Sequence, residues 1–389
     1  MSLSKASSKS VKEMDINIKL LEDSDEVGGY ETSYCKLNIY GKMVNTVIVN
    51  TLRRVILTLI PIYSFNKDNI NITKNTSVFN NDYMRLRLSN FPIYLNKELN
   101  NKYRKKKELK QLNVLNDEKT LERCKQLEYR ATLGSAEVDI TSDKLNKEDI
   151  SENLKIVISV KNPSDNDIMN VMTNTAGVKY YYNNEQISHI YSNPLLIVQL
   201  QPLQEFACIM SSNLNIAMFN ATYSPCSMCY FEEDVKDPEN SFNFSVLSRR
   251  QISEKDILVR ACNIIQQKLK MSHEIFISNI SKYNMESYNK NKLNEDNIST
   301  EHLRNGTITM MGEQYTLGNL LSSYLQDHED ILFAGYKVGH PNVNQVEIKY
   351  ECTTNILSVI DDVIGTINSI YETIKVLVEK MPDFGYKYI

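Results

Sequence analysis

The order strand, short helix, strands, long helix occurs twice in this chain, once toward each end, and no other feature limits the fold as tightly. Near the amino terminus Ile16, Ile18 and Leu20 alternate with polar residues, and residues 34–40 alternate again. These are two half-buried strands around the turn signal Gly28-Gly29, and Gly41 closes the hairpin. Val44, Val47, Ile48, Leu52, Val55, Ile56 and Leu59 then fall on one stripe of a helix that Pro61 ends. The matching long helix comes much later, after a strand at residues 242–247. Ser253 stands as its N-cap, with Glu254 and Asp256 in the first turn, and Ile257, Leu258, Ala261, Ile264, Ile265 and Leu269 form its stripe. Toward the carboxyl end, residues 307–311 read as a strand, 317–325 as a short helix, and 331–336 and 346–350 as strands. Ile356, Ile360, Val363, Ile364, Ile367, Ile370, Ile374 and Leu377 then mark one side of a long helix. Exposed apolar stripes must be covered, and two modules of one plan can cover each other as the halves of a two-fold dimer do.

Between these portions the pattern loosens. Residues 65–193 are irregular and rich in Asn and Lys, and are read as an inserted, mainly β domain. Within it, 136–141 and 154–160 alternate as strands, 180–184 is a strand meeting a turn, and 102–110 is a basic run on an exposed helix or loop. Strand character resumes at 195–200, and 208–219 is a further mixed apolar segment. Residues 282–302 are polar enough to be a linker, and the Ser- and Lys-rich residues 1–13 a disordered tail. The expected organisation is an α+β chain whose first module comprises 14–64 and 194–281. The insert occupies 65–193 and the second module 303–389, the two modules packing as a pseudo-dimer within one polypeptide.

Composition excludes several classes. Of 389 residues, 42% are apolar and 24% charged, as in ordinary globular proteins, and no uncharged apolar run reaches the roughly 18 residues of a membrane span. A net charge of −4 argues against a chain whose main work is gripping a phosphate backbone. The seven cysteines are scattered, with no secretory signal ahead of them, which points to a reducing compartment. No phosphate loop, nucleophile elbow or catalytic acid pair appears, and His189, His273, His302, His328 and His340 have no catalytic or metal spacing. Asp361-Asp362 belongs to the exposed face of the last helix. Cys226-Ser-Met-Cys229 is the one tempting chemical motif. Its thiols are open to three readings: half of a zinc site that would need two more ligands, a redox pair, or plain packing.

Asn50-Thr-Leu-Arg-Arg-Val-Ile-Leu-Thr-Leu-Ile-Pro61 resembles the signature helix of the larger subunit of the RNA polymerase assembly platform. That family comprises the third subunit of eukaryotic RNA polymerase II, the archaeal D subunit and the bacterial alpha amino-terminal domain. The likeness rests on Asn50, Leu52, Arg53, Arg54, Ile60 and Pro61, and extends through residues 75–93, which include Arg85 and Arg87. Residues 140–145 and 221–225 are weaker echoes. Tyr315-Thr-Leu-Gly-Asn-Leu-Leu-Ser-Ser-Tyr324 and Phe333-Ala-Gly-Tyr-Lys-Val-Gly-His-Pro341 resemble the smaller platform subunit, the eleventh of polymerase II and the archaeal L subunit. There are departures: Gly339 and Tyr315 stand where relatives often carry Pro and His. Cys124 is the only cysteine between Cys35 and Cys208, so the four-cysteine metal site of many larger subunits is missing.

The resemblance implies a platform heterodimer fused end to end, of the kind associated with large cytoplasmic DNA viruses. Its role would be non-catalytic: to dock the two largest subunits of a DNA-directed RNA polymerase, with small accessory subunits joining. The first module would favour the second-largest subunit and the last module the largest. No cofactor, no sequence-specific DNA contact, no membrane and no homodimer are expected. The setting would be intracellular and, for a viral protein, the virion and host cytoplasm. The expected interface residues are Asn50, Leu52, Arg53, Arg54, Pro61, Arg85, Arg87, Leu317, Gly318, Asn319, Leu320, Gly335, Tyr336, His340 and Pro341. The four arginines have two readings, stem packing with local salt bridges or pairing with carboxylates of a large subunit. The alternative for the whole chain is a freestanding nucleic-acid-binding or regulatory protein that uses the same dimerisation fold. Joining the modules by a linker would raise their effective concentration to the order of millimolar, so pairing should survive dilution.

Overall fold

The computed structural model describes residues 14–24, 33–94, 154–182, 184–191, 193–290, 305–313, 315–339, 345–382 and 384. The expectations for residues 1–13, 102–110, 136–145 and 291–302, and those for Gly28, Gly29, Cys124, His302, His340 and Pro341, lie outside them.

Strands β1 (Asn17–Ser24) and β2 (Ser33–Tyr40) pair antiparallel, with Asn17 opposite Tyr40 and Ser24 opposite Tyr34. Cys35, Leu37 and Ile39 of β2 point into the core while Tyr34, Lys36 and Asn38 face outward, the two-residue period of a half-buried strand. A Cβ at Gly41 (φ +136°) would stand 2.0 Å from the Asp15 carbonyl oxygen, so only glycine lets the chain turn there into helix α1 (Thr46–Thr58). Asn45 caps that helix, its Oδ1 accepting from the Ile48 N–H at 3.0 Å.

After Pro61 the chain leaves the module as β3 (Ile62–Asn75), followed by α2 (Asn81–Ser89). Then come β4 (Lys155–Lys161), β5 (Met169–Met172), β6 (Val178–Tyr182), β7 (Glu185–Ile187), β8 (Leu196–Leu200) and β9 (Glu205–Asn215). These make a five-stranded sheet ordered β3-β9-β4-β6-β7 and a two-stranded sheet β5-β8. The chain returns as β10 (Cys226–Asp234), β11 (Asp237–Ser248) and helix α3 (Glu254–Lys290), completing a sheet ordered β1-β2-β11-β10. The Ser253 hydroxyl oxygen accepts from the Asp256 N–H at 3.1 Å, as an N-cap does. The last portion is β12 (Asn305–Met311), α4 (Tyr315–Gln326), β13 (Ile331–Val338), β14 (Gln345–Cys352) and α5 (Ile356–Lys380), its sheet ordered β12-β14-β13.

Two boundaries differ from expectation. Residue 194 does not return the chain to the first module. β8 pairs with β5, and β9 lies between β3 and β4. Ile197, Val198, Leu200, Phe206, Cys208 and Met210 belong to the insert's core, and only at Leu214 does the chain rejoin the core of the module. β3 crosses the same divide in the other direction, with Ile62 in one core and Phe65 in the other. This antiparallel ribbon serves both cores, and alternation along a strand carries no mark of which sheet it feeds. The second difference is the linker, since α3 continues through residues 282–290. No Gly or Pro lies between Ser253 and Gly306, and polar residues alone do not stop a helix.

Candidate assembly interface

The two modules share one continuous core. Leu52 and Ile56 of α1, Leu258 and Ile265 of α3, Leu320 and Leu321 of α4, and Ile360 and Ile367 of α5 all lie in it, each at most 2% exposed. The packing is reciprocal: the short helices α1 and α4 meet, the long helices α3 and α5 meet, α3 reaches β12, and α5 reaches β1. That exchange of equivalent contacts is the signature of an isologous interface, here made within one chain.

Hydrogen bonds fix the register along α3 and α5. Lys255 Nζ donates to the Met381 carbonyl (2.8 Å), Gln266 Nε2 to Glu372 Oε2 (3.0 Å), and His273 Nε2 lies 2.5 Å from Asp361 Oδ1. Residue numbers rise on one helix as they fall on the other, so the pair is antiparallel. The Gln266 amide is also the main reason the Glu372 carboxyl sits below the usual range, with Lys375 adding to it. Deeper in, the Tyr371 hydroxyl donates to the Ile48 carbonyl at 3.1 Å, and burial pushes that phenol well above its ordinary value. Lys268 and Glu313 form an ion pair at 2.5 Å between the modules, with side chains 11% and 10% exposed.

The residues singled out from the sequence take distinct places. Leu52 is fully buried, and Pro61 is buried where α1 gives way to β3. Arg54 reaches across to the second module, Nε donating to Thr316 Oγ1 at 2.7 Å. Arg53 instead turns back on its own helix, Nε and Nη2 both donating to Asn50 Oδ1 (3.1 and 3.0 Å). Arg87 is occupied inside the insert, donating to the carbonyls of Ile197 and Leu196 at 2.9 Å each. Arg85 bonds Asp82 at 3.1 Å near the surface. Leu317 and Leu320 are core, and Asn319 is half-buried beside them. Gly318 lets α4 lie against its sheet, because a Cβ there would stand 2.7 Å from Val346 Cγ2 and 3.0 Å from the Tyr336 ring. The Phe333 ring covers Gly335, and Tyr315 meets Tyr336 edge-on with ring centroids 6.5 Å apart. Lys268, Glu313, Gln266 and Glu372 were not picked out in the sequence, and Thr316 entered only as part of the family motif, with no partner assigned. Their partners lie tens to hundreds of positions away, beyond the reach of any local periodicity.

Cys226 and Cys229 sit on β10 with Ser227 and Met228 exposed between them. Residues three apart on a regular strand face opposite ways, but the pairing register shifts between Cys226 and Met228, and this bulge turns both thiols inward. The Cys229 thiol donates to Cys226 and pulls Cys226 down, while that same bond and burial hold Cys229 up. Cys35, two strands away, is raised by burial and by the charge of Glu254. Among the described residues no three His, Cys, Asp or Glu side chains are grouped to hold a metal ion. No helix among them is long and apolar enough to cross a membrane.

Comparison with known proteins bears on both modules. Residues 42–269 match a family model described as the RNA polymerase Rpb3/Rpb11 dimerisation domain, and residues 305–376 match a second model of the same description. An Acanthamoeba polyphaga mimivirus protein, provisionally named DNA directed RNA polymerase subunit R470, is 25% identical over 384 residues, covering 94% of each chain. The Caenorhabditis elegans DNA-directed RNA polymerase II subunit RPB11 is 30% identical over 84 residues, 20% of this chain and 69% of that one. Its Dictyostelium discoideum counterpart is 38% identical over 48 residues, 12% and 40% of the two chains. The chain therefore belongs to the RNA polymerase Rpb3/Rpb11 dimerisation family, with two such domains in one polypeptide.

Proposed function

We propose that the chain is the assembly platform of a multisubunit DNA-directed RNA polymerase, with an architectural rather than a catalytic part in it. The observation that carries this reading is the reciprocal packing of α1 on α4 and α3 on α5 around one core. The polymerase names of its relatives and the two dimerisation domains support it. On this reading the first module is residues 14–64 with 214–290, the insert 65–213, the linker 291–304 and the second module 305–389. The first module would dock the second-largest subunit and the last module the largest. The viral relative supports a place of action inside an infected cell.

The two adjacent arginines take different parts. Arg54 is spent on the second module, whereas Asn50 holds two nitrogens of Arg53 and leaves Nη1 with no partner among the described residues. A guanidinium pre-set in this way suits a carboxylate on a docking subunit. The test is recovery of tagged chain from its native source, with the accompanying chains identified by mass spectrometry. Two very large polymerase subunits should accompany the wild type and be lost with Arg53→Glu. Recovery of the chain alone, or with nucleic acid only, would overturn the proposal.

A further inference from the structure

A cavity of about 270 Å³ lies where β3, the segment after α2 and the beginning of β10 meet the connection from β11 to α3. The described lining residues all come from the first module and the insert, and none from the second module. Among the described residues no Asp or Glu lines it, and the one charged side chain is Arg249. That guanidinium makes a single hydrogen bond among the described residues, from Nη1 to the Thr222 carbonyl at 3.2 Å. Burial pulls its pKa below the usual range. Thr222 Oγ1 on the wall is buried with no hydrogen-bond partner among the described residues. The hydroxyl-bearing Ser64, 5% exposed, lines the wall as well. Gln251 stiffens the wall, donating to the carbonyls of Tyr63 (2.8 Å) and Ile93 (3.3 Å) and accepting from the Tyr63 N–H (2.7 Å).

Arginine can only donate, and each hydroxyl has a proton to give. Among the described residues the wall thus offers several donors, a positive charge and no carboxylate. A partly desolvated cation without a counter-charge is costly, and the group that answers all three features is a carboxylate, whose two oxygens fit the arginine fork. We propose that this cavity receives an Asp or Glu side chain from a docking polymerase subunit, its carboxylate held by Arg249 with the hydroxyls of Ser64 and Thr222 alongside. This inference rests on the platform reading and adds to it a second anchoring point at the root of the insert.

The experiment uses the full chain purified with its polymerase and washed at rising ionic strength, alongside thermal melting of the free chain. Arg249→Gln should leave the melting temperature of the free chain unchanged or higher, since it removes an unanswered cation. It should weaken retention of a large subunit at least ~10-fold, as truncating one partner of a buried charge pair does. Arg249→Lys keeps the charge without the fork and should fall between. If Arg249→Gln unfolds the chain, Ser64→Ala retains the cation and should still loosen the complex several-fold. Equal retention of both large subunits by wild type and by whichever of these variants folds would overturn the inference while leaving the platform reading standing. So would a melting rise in millimolar succinate that Arg249→Gln abolishes without affecting retention, which would assign the cavity to a free small anion. If the wild type retains no large subunit, the platform reading fails and this inference with it.

Discussion

Replacing Glu313 by Gln should loosen the joint between the modules more than any other single change of equal size. Lys268 and Glu313 are each about a tenth exposed (11% and 10%) and neither bonds another charged group among the described residues. Glu313→Gln keeps the shape but leaves the Lys268 ammonium buried and unanswered. Breaking a buried pair in this way costs about 3–5 kcal/mol, and the slight exposure argues for the lower end. Urea is the right denaturant, because guanidinium would screen the charges under study. The chain has no Trp, so unfolding is best followed by far-ultraviolet circular dichroism. With a urea slope of about 3 kcal/mol/M, a loss of about 3 kcal/mol lowers the midpoint by about 1 M. Lys268→Met with Glu313→Leu removes both charges and should recover the wild-type midpoint to within about 0.3 M, or exceed it, since apolar replacement of a buried pair is neutral to stabilising. A midpoint shift below roughly 0.3 M for Glu313→Gln, or a double variant no better than the single one, would refute the reasoning.

Two further outcomes follow from the same interface. Gly318→Ala gains about 1 kcal/mol of helix propensity but drives a methyl group into Val346 and Tyr336, so it should destabilise the chain by about 1–2 kcal/mol net in the same urea assay. Burial raises Tyr223 and Tyr324 to about 12, and raises Tyr371 well above its ordinary value near 10. The folded state therefore binds these protons more tightly than the unfolded chain does. Stability from this source should be level up to about pH 10 and fall above it, and Tyr324→Phe should flatten that fall in melts taken across the alkaline range.

Most of the module architecture could be read from periodicity. The stripe from Ile48 to Ile56 lies buried on α1, with Val44 and Leu59 buried just beyond its ends, and the isoleucine stripe of α5 lies buried on the helix expected of it. What periodicity could not give is destination. β8 and β9 alternate just as a strand of the first module would, and only their hydrogen-bond partners assign them to the insert. The polarity of residues 282–290 suits a linker and an exposed helix equally. At the interface, Leu52, Leu317, Gly318 and Leu320 came through their family likeness, because a packing constraint leaves a local mark. The polar contacts did not. Arg54 finds Thr316, Lys268 finds Glu313 and Gln266 finds Glu372 only once two distant segments have met. The inward turn of both Cys226 and Cys229 depends on a bulge that their spacing alone does not announce.

The central claim is that one polypeptide supplies both halves of the platform. Its most direct test is native mass spectrometry of the polymerase purified through a tag on this chain. The account predicts one copy of the chain in each assembly with the two large subunits, and no separate Rpb3-type or Rpb11-type subunit. Two copies in each assembly, or one copy beside a separate dimerisation subunit, would mean that the modules pair between chains, and would contradict it.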